Sequence, residues 1–470
     1  MAGRLPIIQP TSAPLPELPA GLRGDGQSVH FVSLGCPKNR TDSEVMLGRL
    51  GQAGYQIADD ARDADIIIVN SCTFIDAATT ESVDTVLEMA ELKRDGKARR
   101  LVVSGCMAQR HHEALRAELP EVDAFVGTGD YHRILEVVAK DRQAADVVGL
   151  PVYVQGAEPR VNTLTPWSAY LKILEGCPQR CTFCIIPRLR GDLMSRSLEV
   201  IVDEARALAA TGVKELNLVG QDSNSWGRDL GRPERLPELL TALNDVDGIS
   251  WIRLLYSYPA KFKDPLIDAF VRLDKVVPYV DMPLQHISDP ILTAMRRGVS
   301  GARTRKLLDT LRTRIPDLAV RTGFIVGFPG ETEEQFEELS EFVVEQQFEN
   351  VGVFTFSPQA ETPAADLPGQ VPEEVRVERR ERLMLLQQDI HLEKNTDWIG
   401  RQVDVLIEGL HPETELLWVG RTPQQAPEID GRVIINDTGS AVFGDIARVE
   451  ITDVAGYDLV GHVVDGAQAP

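Results

Sequence analysis

The sequence has 470 residues, of which 43% are hydrophobic and 26% are charged, a balance typical of a globular protein. No apolar run approaches the ~20 residues of a membrane-spanning helix, and six cysteines are too few for a secreted disulfide scaffold, so we expect a cytoplasmic protein without membrane contact. The 49 basic against 71 acidic residues give a net charge of -22, which disfavours general binding to polyanions and favours a basic partner.

The amino-terminal part of the chain divides into a tail and a first domain. Residues 1–27 are rich in Pro, Gly and Ala and lack the pattern of a signal peptide, which predicts a disordered tail. Residues 28–150 alternate apolar runs with amphipathic stretches, as in "VHFVSLGC", "ADIIIVNSC" and "RRLVVSGC", which predicts a parallel α/β sheet. Cys36, Cys72 and Cys106 each end one of these runs. Because ligand sites of such sheets gather at the carboxyl ends of the strands, we expect the three thiols to meet in space.

The rest of the chain predicts a second α/β domain and a small all-β domain. After a linker rich in Pro, Gly and Thr at 151–166, residues 167–370 contain six predicted strands with intervening helices. This number is too small for a closed eight-stranded barrel and predicts an open, partial, TIM-like (β/α)6 barrel. A charged helix at 371–396 connects it to residues 397–466, whose short, turn-punctuated strands predict a five-stranded, OB-shaped β-barrel.

Three cysteines fall within eight positions of the loop "EGCPQRCTFC", which follows the first predicted strand of the central domain. Cys177, Cys181 and Cys184 have the spacing C-x3-C-x2-C. Thiolates are soft ligands for zinc or iron–sulfur clusters, and structural zinc usually takes four protein ligands at paired C-x2-C spacing. Three thiolates on a 4Fe–4S cluster leave one iron without a protein ligand and open to a small molecule. The uneven trio therefore favours a cluster, with structural zinc as the alternative.

This loop, placed after the first strand of a partial barrel, resembles that of the radical S-adenosylmethionine (SAM) enzymes. The resemblance implies that Cys177, Cys181 and Cys184 are catalytic and that their open iron binds SAM. It also implies cofactor-binding roles for residues at matching positions, which are Phe183 in the cysteine loop, Gly220 and Gln221 in "VGQD", and Gly323 and Gly327 in "GFIVGFPGE". The "VGQD" segment departs from the family's usual pair of glycines and glutamate. For each glycine, a tight strand end without a ligand is the alternative.

The first three cysteines narrow the resemblance. An α/β domain with Cys36, Cys72 and Cys106, a radical domain and a terminal β-barrel resemble the methylthiotransferases over nearly the whole chain after the tail, with local matches at "SLGCPKNRTDSE", "NSCTF" and "SGCMAQR". The resemblance implies a TRAM-like barrel, a second 4Fe–4S cluster on these three cysteines as the site of sulfur delivery, and an external electron donor. It further implies that SAM serves both as methyl donor and as the source of a 5′-deoxyadenosyl radical.

Members of this family modify either a protein aspartate or an adenosine of transfer RNA. The stretches "SLGCPKN", "YSYP", "MPLQHIS" and "FSPQAETPAADLP" resemble the RimO-type branch, which acts on an aspartate of ribosomal protein S-twelve, although Glu361 replaces that branch's usual glycine. Residues 391–470 include fourteen acidic and five basic side chains, whereas a barrel that binds RNA should be basic. We therefore expect ribosomal protein S-twelve or the small ribosomal subunit as the partner, with transfer RNA as the alternative substrate.

A function of another class is a non-catalytic, metal-binding scaffold that docks on ribosomes, in which the same cysteines would need neither an open iron nor a SAM site. Spectra of anaerobically purified protein with and without SAM distinguish the two. Arg188 and Arg190, in "RLRGD" after the cysteine loop, are candidates for binding a carboxylate of cofactor or substrate through the guanidinium fork. A solvated surface position is the alternative for both arginines.

Overall fold

The computed structural model describes residues 6–10, 22–139, 146–231 and 235–468. These residues form a parallel α/β sheet, then a six-stranded parallel sheet with helices, then a closed β-barrel, which confirms the predicted fold class. In the described part of the chain, no helix is long and apolar enough to cross a membrane.

The first domain is a five-stranded parallel sheet covered by helices on both faces. Its elements, with the short strand that precedes them, are β1 (Ile7–Ile8), β2 (Ser28–Ser33), α1 (Pro37–Gln52), β3 (Gln56–Ile57), β4 (Ile66–Ser71), α2 (Asp76–Asp95), β5 (Arg100–Gly105), α3 (Cys106–Glu118), β6 (Ala124–Val126) and α4 (Ile134–Ala139). The strand order is β3-β2-β4-β5-β6. Ile68 and Val102 enter one hydrophobic core, and Ile67 and Val103 enter another on the opposite face. Burial on both faces explains why these runs are continuously apolar.

The central domain has six parallel strands in the order β8-β11-β12-β13-β14-β15. Its elements are β7 (Arg160–Val161), β8 (Ser168–Lys172), β9 (Leu174–Glu175), α5 (Ile186–Arg190), β10 (Met194–Ser195), α6 (Leu198–Ala210), β11 (Glu215–Val219), α7 (Leu236–Asn244), β12 (Trp251–Leu254), α8 (Asp264–Arg272), β13 (Val276–Asp281), α9 (Asp289–Ala294), α10 (Gly301–Arg314), β14 (Ala319–Val326), α11 (Glu333–Gln346) and β15 (Asn350–Thr355). β8 and β15 are the two edges of this sheet, so it is an open, partial barrel as predicted.

The chain continues through a long helix into a closed β-barrel with the strand order β16-β17-β18-β20-β19. These elements are α12 (Glu373–Thr396), β16 (Gln402–His411), β17 (Thr414–Arg421), β18 (Val433–Asp437), β19 (Ile446–Ala455) and β20 (Asp458–Gln468). The helix packs on the central domain, since Gln387 Nε2 donates to the Phe348 carbonyl at 2.9 Å and Arg379 pairs with Glu331 at 2.8 Å. It is therefore part of the central domain's surface as well as a connection.

Two segments expected to be irregular pair as a small antiparallel sheet. Ile7–Ile8, inside the predicted tail, pairs with Arg160–Val161, inside the predicted linker. Arg160 is buried, donates to Glu204 at 2.6 Å and also pairs with Glu44 of α1. Disorder therefore does not describe Ile7–Ile8, because strand pairing and the burial of Ile8 order this stretch. Most of the remaining tail lies outside the described residues.

The polar side of α1 is buried between the first and central domains. Asp42 accepts a hydrogen bond from Arg190 at 2.6 Å and pairs with Lys172, which in turn donates to Glu175 at 2.9 Å. Arg190 also donates to Asn39 Oδ1 at 2.9 Å. These buried ionic contacts fix the carboxyl edge of the first sheet against the central domain.

The β-barrel docks on the amino ends of the central strands. Arg421 donates to Glu215 at 2.5 Å, and Glu215 also accepts from Arg253 at 2.9 Å. Burial alone would raise the pKa of Glu215, but the two arginines hold it well below its usual range. Asp430 accepts from Tyr279 at 2.7 Å beside this contact. The carboxyl ends of the same strands are left for the cysteine loop.

Candidate active site

Each cysteine of the first trio follows a strand of the first sheet. Cys36 caps α1 after β2, Cys72 directly follows β4, and Cys106 directly follows β5. Gly35 and Gly105 have φ of +85° and +92°, values that other residues rarely adopt, so each glycine makes the turn before a cysteine. A Cβ placed on Gly35 would lie 3.0 Å from Cys72 Sγ, so the first two cysteines are neighbours.

The thiols of the first trio interact electrostatically and differ in acidity. Burial raises the pKa of Cys72, and it raises the pKa of Cys106 to about 12. Burial acts on Cys36 in the same direction, but the positive charges of Lys38 and Arg190, together with backbone hydrogen bonds from the start of α1, outweigh it and lower the pKa of this thiol. Arg190 reaches this trio from the central domain, so the first cysteine site is completed by a residue of the second domain.

In the metal-free protein we expect Cys36 to react with iodoacetamide before the other two thiols of its trio. The thiolate is the nucleophile, the pKa of Cys36 is lowered, and Cys36 is partly exposed whereas Cys72 and Cys106 are buried. At about pH 7.5 alkylation should be roughly tenfold faster at Cys36, and acidification should slow it because the thiolate fraction falls. Peptide mass spectrometry after short exposures measures the rates. Equal rates at all three cysteines would contradict the assignment.

The second trio lies in the loop between β9 and α5, near the carboxyl end of the first strand of the six-stranded sheet. Thr182, inside this loop, is anchored from the far side of the barrel. Its N–H donates to the Met295 carbonyl at 3.2 Å, and its hydroxyl donates to the Ala294 carbonyl at 2.8 Å. The loop is thus anchored to the end of α9 as well as to β9, and its three thiols interact electrostatically.

Arg297 supplies a positive charge to the second trio. Its Nη1 donates to Cys181 Sγ at 3.6 Å, and its guanidinium carbon lies 4.3 Å from the centroid of the Tyr258 ring. Burial raises the pKa of Cys177 to about 11 and that of Cys184 to about 12. Metal ligation requires thiolates, so assembly of a cluster here must displace protons. Sequence analysis missed Arg297, because no local pattern connects it to a loop more than a hundred residues earlier.

The predicted second-strand contacts lie beside the second trio. Gly220 packs tightly on Leu174, since a Cβ on it would lie 2.7 Å from the Leu174 side chain. Gln221 donates to Glu175, while its own carbonyl oxygen has no partner in the described residues. Buried polar atoms without such a partner also occur on its neighbours along the chain, Asn217, Asp222 and Asn224. Buried polar groups are usually hydrogen-bonded, so this group suits a polar ligand.

The other three predicted cofactor-binding residues differ in how much space surrounds them. Gly323 leaves room, with the Phe354 ring 3.6 Å from where its Cβ would lie. Gly327 has φ of +71°, and the side chain of Arg376 fills the place of its Cβ, so its observed role is a turn and a packing contact. Phe183 packs on the edge of an apolar cluster. The cofactor roles of these three residues stay predictions.

The structure separates the two arginines of "RLRGD". Arg190 is buried between the domains, so a solvated surface position is wrong for it. Arg188 is largely exposed and pairs with Glu361 at 3.2 Å. Glu361 also accepts from Arg110 of α3 at 2.9 Å, and it is not among the described residues with positive φ. The turn at 361 therefore does not require the glycine that this position usually has in the RimO-type branch.

Replacing Glu361 by glycine should lower the free energy of unfolding by less than about 1 kcal/mol. Its ion pairs are partly exposed, and such pairs contribute little. Arg110 would keep its hydrogen bonds to Gln359 and to the Thr73 carbonyl. Urea unfolding of the two proteins measures the difference. A loss above about 2 kcal/mol would mean that Glu361 holds the two domains together.

A cavity of about 1000 Å³ opens beside Cys181 and Cys184. Its walls come from residues 150–152, from the start and end of α5, and from the segment 360–366. The second trio is therefore reachable from a space large enough for a small molecule or a peptide side chain. In the described residues, no three or more His, Cys, Asp and Glu side chains are arranged to hold a single metal ion.

The donor sets fit two iron–sulfur clusters. All six cysteines are free thiols. They form two trios, one per α/β domain, and the thiols within each trio interact electrostatically. A buried arginine lies beside each trio, Arg190 beside the first and Arg297 beside the second. Soft thiolates near fixed positive charge suit an anionic cluster, and three ligands leave one iron open in each.

Comparison with family models matches three consecutive parts of the chain. Residues 28–127 match the uncharacterized protein family UPF0004, residues 171–343 match the radical SAM superfamily, and residues 399–464 match the TRAM domain. The three matches fall on the first sheet, the six-stranded sheet and the β-barrel.

Curated relatives match almost the whole chain. The chain is 53% identical over 437 residues to the ribosomal protein uS12 methylthiotransferase RimO of Anaeromyxobacter sp. (strain Fw109-5), covering 93% of each protein. It is 48% identical over 442 residues to the protein of the same name from Geobacter sulfurreducens, covering 93% of this chain and 99% of that one. Among solved structures, the radical SAM methyltransferase TsrM from Kitasatospora setae is similar in fold, with a TM-score of 0.52 at 14% identity, covering 72% of this chain and 74% of that one.

Proposed function

The chain belongs to the RimO family of radical SAM methylthiotransferases, and from this premise we propose that it transfers a methylthio group to the side-chain carbon of an aspartate in ribosomal protein uS12. The observation that carries the proposal is the pair of cysteine trios, placed on two domains that α1 locks together through Asp42, Lys172 and Arg190. One open cluster would suffice for a generic radical enzyme, whereas insertion of sulfur needs a second site.

The cysteines have separate roles in this proposal. Cys177, Cys181 and Cys184 would hold the 4Fe–4S cluster that binds SAM, and Cys36, Cys72 and Cys106 would hold the second. When bound, the cluster on Cys177, Cys181 and Cys184 would supply the electron that cleaves SAM, and the cluster on Cys36, Cys72 and Cys106 would supply the site that carries the sulfur. Such chemistry is required because the C–H bond of the substrate is too weakly acidic for a side chain to ionise near neutral pH.

Other residues of the site support the thiolates and would bind SAM. Arg297 holds Cys181 and Arg190 faces Cys36 and Cys106, so both thiolate sets are electrostatically supported. The unpartnered polar atoms of Gln221 and Asp222 are available to bind the polar end of SAM. α12 packs on the side of the central domain and the β-barrel covers the amino ends of its strands, so the carboxyl ends remain the side from which SAM and substrate would approach.

A protein substrate is supported by the charge of the β-barrel. Some of its acids are used internally, since Glu408 pairs with Arg421 and Asp430 pairs with Arg321. Others remain exposed, namely Glu413, Glu415, Asp437, Asp445 and Asp453. An exposed acidic surface attracts a basic ribosomal protein and repels RNA. We further propose a cytoplasmic location, where ribosomes are, and an external electron donor.

The test is incubation of anaerobically reconstituted enzyme, SAM and a reductant with purified uS12 and, separately, with transfer RNA. Mass spectrometry should show the gain of one methylthio group on an aspartate of uS12. An unmodified uS12 together with methylthiolated adenosine would assign the chain to the transfer RNA branch instead. No modification of either, with SAM leaving the cluster spectrum unchanged, would favour a scaffold.

A further inference from the structure

Lys38 is a largely buried lysine whose ammonium group has no hydrogen-bonding or ion-pair partner among the described residues. It occupies the second position of α1, two residues after Cys36, and only 8% of its surface is exposed. Its Nζ lies 3.2 Å from the centroid of the Tyr256 ring. Among the residues that the structure describes, no hydrogen bond and no ion pair involves this ammonium group. Lys172, the other lysine of the described residues that is buried, is paired with two carboxylates.

The position of Lys38 is unfavourable for the fold. The amino terminus of a helix carries partial positive charge, which repels a cation in the first turn. Removing an ammonium group from water without a hydrogen-bonded partner is strongly unfavourable. Burial opposes the charge of Lys38 most strongly, whereas Cys36, Asp281 and Glu175 attract the ammonium group and Arg190 repels it, all without a hydrogen bond to it. Because no described carboxylate contacts this ammonium group, its N–H donors are available to an anionic ligand.

Tyr256, whose ring lies under this ammonium group, has a strained backbone conformation. Its φ is +61°, a left-handed conformation that is strained for a tyrosine. Its N–H donates to Asp281 Oδ2 at 2.9 Å, which stabilises the strained backbone. The ring thereby presents its face to Lys38, and cation–π contact orients the ammonium group while leaving its N–H donors without acceptors. Strained residues persist where a site requires them.

We propose that Lys38, seated on Tyr256 beside Cys36, binds the side-chain carboxylate of the substrate aspartate. This carboxylate subsite rests on the proposed function and specifies how that function selects its side chain. In aspartate the carboxyl carbon is bonded directly to the only side-chain carbon that carries hydrogen. Fixing the carboxylate on Lys38 therefore places the carbon to be modified near the first cysteine trio.

The subsite also explains selection between substrates. A carboxylate would satisfy the unpartnered ammonium group through a charge-assisted hydrogen bond, which is roughly twice as strong as a neutral one. Asparagine offers only a neutral carbonyl, and an adenine base carries no anionic group. Tyr256 and Cys36 remain partly exposed, so a side chain can approach from that direction.

The test is a cycle of binding measurements on the reconstituted holoenzyme without reductant. Fluorescence anisotropy gives the affinity for labelled uS12 and for a uS12 variant with asparagine in place of the modified aspartate. The wild-type enzyme should bind the aspartate form about tenfold or more tightly. In Lys38→Met this ratio should fall to about one, whereas Lys38→Arg should keep a ratio above one. The same substitution at exposed Lys97, as Lys97→Met, should leave the wild-type ratio unchanged.

Four other results overturn the subsite. A Lys38→Met enzyme that retains the tenfold preference does not use Lys38 for the carboxylate. A Lys38→Met enzyme that loses about half of its iron assigns Lys38 to cluster retention, and a melting temperature well below that of the wild type assigns it to the fold. A wild-type enzyme that binds neither form of uS12 overturns the proposed function itself, and the subsite with it.

Discussion

Cys181→Ala should abolish production of 5′-deoxyadenosine and of methylthiolated substrate, while about four of eight irons stay on the chain. Cys181 lies in the centre of the second trio and accepts a hydrogen bond from Arg297. Without it only two thiolates remain there, and the activity should fall by at least about a thousandfold, equivalent to about 4 kcal/mol of activation free energy. Chromatography of the reduced reaction and iron analysis measure both quantities.

The matched control for this variant is the same substitution in the first trio. Cys106→Ala should also lose about four irons and all methylthio transfer, yet it should still produce 5′-deoxyadenosine from SAM. The two variants thus differ in one product although each removes a buried thiol. Production of 5′-deoxyadenosine by Cys181→Ala, or its loss in Cys106→Ala, would contradict the division of roles between the trios.

Asp42→Asn should lower the free energy of unfolding by about 3 to 5 kcal/mol, the usual loss when one partner of a buried ionic cluster is removed. Asp42 is the carboxylate that joins Lys172 and Arg190 across the domain interface. With asparagine there, two buried cations share Glu175 alone. Urea unfolding followed by tryptophan fluorescence measures the loss, and limited proteolysis should cut between the two α/β domains more readily.

The same interface should weaken in acid. Burial alone would raise the pKa of Glu175, but Lys172 and Arg190 outweigh it and lower the pKa. A carboxylate with a lowered pKa in the folded state stabilises the fold above its unfolded pKa of about 4.3, and this contribution is lost as the pH falls below that value. Asp95→Asn, in an exposed pair with Arg94, should leave the urea midpoint of unfolding nearly unchanged, because exposed ion pairs contribute little to stability. A loss of stability in Asp95→Asn as large as that in Asp42→Asn would contradict a special contribution of the buried ionic cluster.

The fold and the cysteine positions could be predicted because their signals are local. Continuous apolar runs such as "DIIIVNS" and "RLVVSG" predicted the strands of the first sheet, and six strands with intervening helices predicted an open barrel. Cys36, Cys72 and Cys106 lie at the strand ends where the sequence placed them. The alternation of apolar strands with amphipathic helices predicts parallel strands, and the carboxyl ends of parallel strands lie at one edge of the sheet, so the common edge of the three cysteines could be predicted as well.

The cations around the trios could not be predicted, because their partners are distant in sequence. Arg190 contacts α1 residues about 150 positions earlier, and Arg297 contacts a cysteine of a loop that precedes it by more than a hundred. The many polar residues of α1 are typical of an exposed helix surface. Asp42 and Glu44 are nevertheless buried, because they pair with Lys172 and Arg160. Only the tertiary structure shows such pairing.

Everything proposed here requires that each cysteine trio hold a 4Fe–4S cluster with an open iron. The most direct measurement is iron and sulfide analysis of anaerobically reconstituted protein, combined with electron paramagnetic resonance with and without SAM. We predict about eight irons and eight sulfides per chain, with a spectrum that SAM changes. Zinc in place of iron, about four irons per chain, or a spectrum unchanged by SAM would contradict the presence of two open clusters.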